Sequence, residues 1–239
     1  MNDHKLPKIV VLTGAGISAE SGIRTFRDSD GLWEEHNILD VATPEAWKRN
    51  SALVTRFYNA RRVQLLSVKP NAAHLALTRL QEFFDVKIVT QNVDDLHERA
   101  GNSNVLHLHG ELIKARSEKS QERIYDIGYR EIEIGEQSDD GSLLRPHIVW
   151  FGEDVPMIVT ASKWVTEAEI LIVIGTSLNV YPAAGLLYHS PYGCEKFLVD
   201  PNDLQVDNLF RLRHIKTKAG EGVPALVDEL IQRFYPQTV

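Results

Sequence analysis

Among its 239 residues the chain has a single cysteine, Cys194. One cysteine excludes an internal disulfide and, by count, a four-cysteine zinc site. No apolar run approaches the roughly 18 residues that mark a membrane-spanning helix. The opening MNDHKLPKIVVLTG is too polar to read as a secretory leader, so a cytoplasmic location is the expectation. A basic excess is missing too: 26 Lys and Arg face 33 Asp and Glu, a net charge of −7. That balance argues against general nucleic-acid binding, which needs a basic surface. It suits basic partners such as lysine-bearing protein segments.

What is present suits a soluble globular protein: 43% of residues are hydrophobic and 25% charged, proportions that can build a core. The length supports one sizeable domain, and no repeats or linkers break it. Apolar, β-branched runs predict strands over 8–12, 86–90, 105–108, 147–151 and 170–174, with shorter ones at 197–199 and 214–218. Helices are expected over 44–67, 74–84, 161–169 and 223–234. The first has a start signal in Thr43 followed by Pro44. Continuous apolar strands alternating with helices predict an α/β fold, a Rossmann-like parallel sheet covered on both faces. In such sheets ligands bind beyond the carboxyl ends of the strands.

Gly14-Ala15-Gly16-Ile17-Ser18-Ala19 fits G-x-G-x-x-A between a strand and an expected helix. Glycines let the backbone approach a diphosphate, and a helix N-terminus offers free N–H groups to it. A plain tight turn is the competing reading. A dehydrogenase would need a second strand ending in an acidic residue about 20 residues on, to hold the ribose. The chain gives the loop-like TFRDSDGLWEEH instead, so the ribose of any dinucleotide must be handled differently.

Further motifs stand at other strand ends: Thr90-Gln91-Asn92-Val93-Asp94, His107-Leu108-His109-Gly110, Arg145-Pro146 leading to Val149-Trp150-Phe151-Gly152-Glu153, and Gly175-Thr176-Ser177-Leu178 followed by Val180-Tyr181-Pro182. With GAGISAESGIRTFR and GLW, this ordered set closely resembles the sirtuin family of NAD-dependent protein deacylases, from residue 8 to 219. The resemblance implies a single catalytic domain over 1–239. Its Rossmann-like part covers about 1–30, 72–110 and 145–239, with a helical insertion at about 31–71 and a strand insertion at about 111–144.

The resemblance also implies roles. Gly14, Ala15, Gly16, Ile17 and Ser18, with Glu20, look like the diphosphate turn. Thr25, Phe26 and Arg27 look like the loop covering NAD, with Trp33 beyond it. Gln91, Asn92 and Asp94 look like the nicotinamide–ribose pocket. Gly175, Thr176 and Ser177 match the adenosine side, and Asp200, Asn202 and Ala219 the adenine end. His109 matches the catalytic base, with Asn92 and Asp94 beside it. A neutral imidazole suits a step in which a ribose hydroxyl must be activated near neutral pH. His107 and His97 read as structural. Val149, Phe151, Gly152 and Glu153, with Val180 and Tyr181, resemble the two edges between which a substrate peptide lies as an added strand.

Ala42, Tyr58 and Arg61 resemble the subclass that removes succinyl or malonyl groups. Three residues apart, Tyr58 and Arg61 share a helix face, where they could grip a carboxylate; a solvated helix face is the competing reading. The family's four zinc cysteines fall between the histidine and the Arg-Pro strand. Here residues 111–144 contain neither cysteine nor histidine, so no zinc is expected. In its place, Ile124, Tyr125, Ile127, Tyr129, Ile132 and Ile134 are expected to hold the insertion by apolar packing. The expected activity is NAD-dependent transfer of an acyl group, succinyl or malonyl and also acetyl, from protein lysine to ADP-ribose with nicotinamide released. ADP-ribosyl transfer, NAD hydrolysis and a non-catalytic NAD or ADP-ribose sensor remain alternatives. No nucleic-acid or membrane partner is expected.

Overall fold

The protein is a computed structural model that describes residues 6–24, 36–178, 180–203 and 211–236, and the backbone of 32–33. Strand β1 (Lys8–Thr13) runs into two 3-10 turns, Ala15–Ile17 and Ala19–Ser21. Beyond them stand β2 (Leu32–Trp33), β3 (His36–Asn37), α1 (Ile38–Val41), α2 (Pro44–Gln64), a 3-10 turn (Leu65–Ser67), α3 (Ala72–Leu80), β4 (Asp85–Thr90), α4 (Leu96–Arg99) and β5 (Val105–His107). Next come β6 (Gly110–Ser117), β7 (Ile124–Asp126), β8 (Leu144–Ile148), α5 (Ile158–Thr166), β9 (Ile170–Ile174) and a 3-10 segment (Ala183–His189). Strands β10 (Glu195–Val199) and β11 (Leu212–Ile215) and helix α6 (Ala219–Phe234) complete the order.

Six strands form one parallel sheet in the order β11-β10-β9-β1-β4-β5. Side chains alternate between its faces. Ile9, Val11, Ile88 and Ile172 pack under α3 and α6, while Val10, Leu12, Val89, Leu171 and Val173 pack under α5 and the 3-10 segment. Both faces are covered, so the central strands are largely apolar; β9 (ILIVI) is buried at every position. From β1 the chain winds outward to β4 and β5, then returns to build β9, β10 and β11 on the other side. The order therefore reverses between β1 and β9, and the crevice beyond their carboxyl ends is where such sheets bind ligands.

Thr43 caps α2 as its sequence predicts: its Oγ1 accepts the Ala46 N–H at 3.0 Å, and Pro44 takes the first helical position. The helix kinks at Asn50, whose non-helical backbone is compensated when its side chain caps the Leu53 N–H at 3.0 Å.

Three expectations are corrected. No α-helix directly succeeds the glycine turn; two three-residue 3-10 turns stand there, too short to supply a helix dipole. The strand expected at 147–151 stops at Ile148: β8 runs over 144–148, residues 149–151 are irregular, and β8 pairs antiparallel with β6 in a separate sheet ordered β7-β6-β8. In that small sheet Ile132 is buried with Ala115 and Leu144, Tyr125 and Ile127 pack against them, and Tyr129 packs against the α2 side. Ile124 and Ile134, however, are 45% and 53% exposed and do not hold it. The sheet's outer end is closed by polar bonds: the Asp140 carboxylate accepts the hydroxyls of Ser117 (2.7 Å), Ser138 (2.5 Å) and Ser142 (2.5 Å) and the Ser142 N–H (2.9 Å). These bonds hold its carboxyl far below the usual carboxylate range. Among the described residues no three His, Cys, Asp or Glu side chains converge as a metal site, and no helix is long and apolar enough to cross a membrane.

Candidate active site

A cavity of about 940 Å³ opens beyond the carboxyl ends of β1, β4 and β9. That is near the upper end of the roughly 300–1,000 Å³ of small-molecule sites, room enough for a dinucleotide with a second substrate. Gly14, Ala15, Gly16, Ser18 and Glu20 line it from the first turn, and Gly175, Thr176 and Ser177 from the loop after β9. The two loops touch, the Gly16 N–H donating to the Gly175 carbonyl at 2.8 Å. A Cβ on Gly16 would stand 2.6 Å from the Gly175 Cα, so glycine here serves this crossing of loops as well as any ligand. Ile17 departs from expectation: it is fully buried in the sheet's core and lines nothing.

Beyond β4 a polar row crosses the floor. The Asn92 amide donates to the Ser18 hydroxyl at 3.1 Å, and Ser18 donates to the Asp94 carboxylate at 3.0 Å. Asp94 also accepts the Leu96 N–H at 3.2 Å, and burial raises its pKa above the ordinary value. Gln91 donates to the Thr176 hydroxyl at 3.1 Å, tying the β4 and β9 loops together.

His109 faces this floor from the end of β5. Its Nδ1 lies 3.0 Å from the Gln91 carbonyl, a group that can only accept. Nδ1 therefore carries the proton, and Nε2 holds a lone pair. Burial lowers the imidazole pKa, opposed by the Gln91 bond, so the ring is neutral at neutral pH. Gly110 makes this placement possible: its φ is +79°, and a Cβ would lie 2.0 Å from the His147 carbonyl oxygen. His107, read as structural, bridges the Asn92 carbonyl (3.0 Å) and Glu98 (2.8 Å). His97 is buried against the Thr13 hydroxyl at 3.0 Å.

At the far end the cleft is lined by Ala42, Tyr58 and Arg61 on one side and by Val149, Phe151, Gly152 and Glu153 on the other, with Val180 and Tyr181 at the rim. Tyr58 is fully buried, and its hydroxyl accepts the Trp150 indole N–H at 3.1 Å. Arg61 is buried as well and stacks over Phe57 at 5.8 Å. Glu153, expected to meet substrate, is turned onto the chain itself. Its carboxylate accepts from Arg116 (3.0 Å), doubly from Arg145 (2.8 and 3.1 Å) and from the Trp150 N–H (2.8 Å).

Asp200, Asn202 and Ala219 line the opposite end. Asp200 accepts the Asn202 N–H at 2.9 Å, and Glu20 caps α6 through the Gly220 N–H at 2.7 Å. Thr25, Phe26, Arg27 and the Trp33 side chain lie outside the described residues. Lining residues that sequence reasoning missed include Ile23, Gln64, Leu65, Leu112, Val199 and Lys218. Gln64 and Leu65 lie three and four positions after Arg61, a helical spacing that pointed to them.

These features define a nucleotide-sized cleft at a sheet's switch point with a neutral histidine at its centre. Comparison with known proteins places the chain: the Sir2 family model matches residues 14–182, and the chain belongs to the Sir2 family. It is 50% identical over 231 residues to an NAD-dependent protein deacylase of Bacteroides thetaiotaomicron, covering 95% of this chain and 99% of that protein. A Helicobacter pylori NAD-dependent protein deacylase is 48% identical over 227 residues, with 95% and 99% covered. The crystal structure of a Sir2 homolog–NAD complex superposes with a TM-score of 0.85 at 37% identity, covering 95% of this chain and 90% of that one.

Proposed function

We propose that this NAD-dependent protein deacylase uses His109 as its general base and takes acidic acyl groups, succinyl or malonyl, in the end of the cleft lined by Tyr58 and Arg61. The observation that carries the reading is one continuous cavity. It runs from the glycine turn past His109 to a buried arginine beside a buried tyrosine. Bound NAD would supply a ribose carbon from which nicotinamide can leave. The residues present fit it, because the Asn92–Ser18–Asp94 row is held in place by hydrogen bonds within the chain and the β1 and β9 loops leave their backbone open to the cavity. Gly14, Gly16, Ser18 and Glu20 would take the diphosphate side, Gly175 to Ser177 and Asp200, Asn202 and Ala219 the adenosine side, and Gln91, Asn92 and Asp94 the nicotinamide side.

His109 is oriented by Gln91 so that the lone pair on Nε2 is available to take a hydroxyl proton. Val149, Gly152, Val180 and Tyr181 at the rim would receive a peptide backbone, which gives affinity with little sequence demand. Arg61 would bind the distal carboxylate and the Tyr58 hydroxyl would assist it. Charged hydrogen bonds of this kind are worth about 1.5–3 kcal/mol, a preference of roughly tenfold to a hundredfold.

The test incubates the protein with NAD and matched acetyl- and succinyl-lysine peptides, monitoring nicotinamide and free lysine by mass spectrometry. Succinyl is expected to be removed faster than acetyl, with both lost in His109→Ala. Arg61→Met is expected to lower desuccinylation by at least about tenfold and to spare deacetylation. Equal loss of both activities would sink the carboxylate reading. Nicotinamide release without deacylation would replace deacylation by ADP-ribosyl transfer or NAD hydrolysis.

A further inference from the structure

Helix α2 faces two ways within a single turn. Tyr58 and Arg61 line the cleft, while Asn59 and Arg62 grip the small sheet. Asn59 pairs with both backbone groups of one residue, Ile132, as a neighbouring strand would. Its Oδ1 accepts the Ile132 N–H at 3.0 Å, and its Nδ2 donates to the Ile132 carbonyl at 2.8 Å. The same Oδ1 accepts from Arg62 Nη1 at 2.6 Å, and Arg62 Nε donates to the Leu112 carbonyl at 2.5 Å.

Both side chains are buried, Arg62 completely, and among the described residues no carboxylate pairs with its guanidinium. Burial lowers its pKa to about 10. A cation so placed is costly to bury, and its bonds have a fixed geometry. The residues the pair meets are not remote from the site: Leu112 lines the cleft, and Ile132, between β7 and β8, is buried with Ala115 of β6 and Leu144 of β8. The far wall is held by the same sheet, through Arg116 and Arg145 on Glu153, and Trp150 closes the circuit by donating to Tyr58.

We propose that Asn59 and Arg62 are positioning residues for acyl selectivity: they dock α2 on the small sheet and so set where Tyr58 and Arg61 stand in the cleft. The proposal rests on the reading that this end of the cleft receives the acyl group. A misplacement of about 1 Å at such a clamp can cost up to about a hundredfold in rate.

The experiment measures kcat/KM on one peptide sequence carrying acetyl-, butyryl- or succinyl-lysine, together with the KM for NAD. It uses the unmodified protein, Asn59→Ala, Arg61→Met and the double variant. Asn59→Ala is expected to lower the succinyl value by about tenfold or more and the acetyl value by less than about threefold, with the KM for NAD unchanged. In the Arg61→Met background it should shift the succinyl-to-acetyl ratio no further, because the effect passes through Arg61. An equal fall on all three acyl groups, a raised KM for NAD, or full additivity in the double variant would overturn the proposal.

If the unmodified protein does not favour succinyl, the carboxylate reading fails on its own. A butyryl-to-acetyl ratio changed by Asn59→Ala would then still support docking, and an unchanged ratio would overturn it. Should Asn59→Ala fail to fold, Asn59→Asp serves. It keeps the acceptor for Ile132 and Arg62 but sets a carboxylate oxygen against the Ile132 carbonyl in place of the donor and gives Arg62 a charged partner, and is expected to shift the ratio by about threefold.

Discussion

With His109 as the proposed base, its protonation is to be read in activity. Burial holds its pKa below the ordinary imidazole value, so the neutral base persists into mildly acidic solution. The acid limb of kcat/KM is therefore expected to have its midpoint below about 6.5, which a pH profile at saturating NAD measures; a midpoint above that value would remove His109 as the titrating base. Glu153 shows how a motif residue can be legible and its task not. Its place beside Trp150 in the cleft was readable from the motif, but its partners Arg116 and Arg145 come from β6 and β8, and no spacing in the chain announces them. The Arg145 guanidinium also lies 3.2 Å over the Trp150 ring, so the clamp fixes the loop from both its backbone and its side chain. Glu153→Gln would leave two buried guanidinium groups sharing one neutral acceptor. It is expected to lower the unfolding free energy by about 2–3 kcal/mol and to raise the KM for peptide more than that for NAD. A raised KM for NAD with peptide binding intact would contradict the assignment.

At the scale of elements, the strands of the parallel sheet were readable because burial on both faces leaves an unbroken apolar run. The same signal misled at β8: an apolar run does not say which sheet it joins, and that choice is made by pairing with β6 far away in sequence. The helix expected after Gly16 failed for a related reason. A glycine turn before polar residues marks a change of direction, and the conformation of the next residues is set by the crossing with Gly175. In the small sheet, apolar alternation over 124–134 was visible, but the Ser117–Ser138–Ser142 knot on Asp140 was not, since serine and aspartate in loops usually face water. That knot gives a prediction of its own. Asp140→Asn removes the charge that gathers three hydroxyls and is expected to lower the denaturant midpoint, read by denaturant unfolding. Elemental analysis of the unmodified protein should find less than stoichiometric zinc. Tightly bound zinc that vanishes in Asp140→Asn would mean that the knot is a metal site.

Among the described residues a group of histidines is held neutral by burial, and that sets how stability depends on pH. His74 is fully buried with a pKa lowered to about 4, His147 is lowered to about 4, and His97 is lowered well below the ordinary imidazole value, burial being the largest cause in each. His74 and His97 lie 5.0 Å apart ring to ring, so protonating one also opposes protonating the other. The unfolded chain takes up these protons near pH 6.5, whereas the folded chain resists them until about pH 4. Between those values the unfolded state binds more protons, and stability falls as pH falls. His107 acts in the opposite sense. Its bond to Glu98 raises its pKa against the effect of burial, so its contribution is full below about 6.5 and fades as pH rises through its folded value. With His109, four lowered histidines against one raised leave the acid side weaker. The unfolding free energy is therefore expected to fall between about pH 6.5 and 4.5. His74→Gln should reduce the slope by up to about 1.4 kcal/mol per pH unit, the contribution of one proton. Urea titrations across that range give the slope directly, and a stability that holds level or rises toward the acid end would show that these imidazoles are charged in the folded protein.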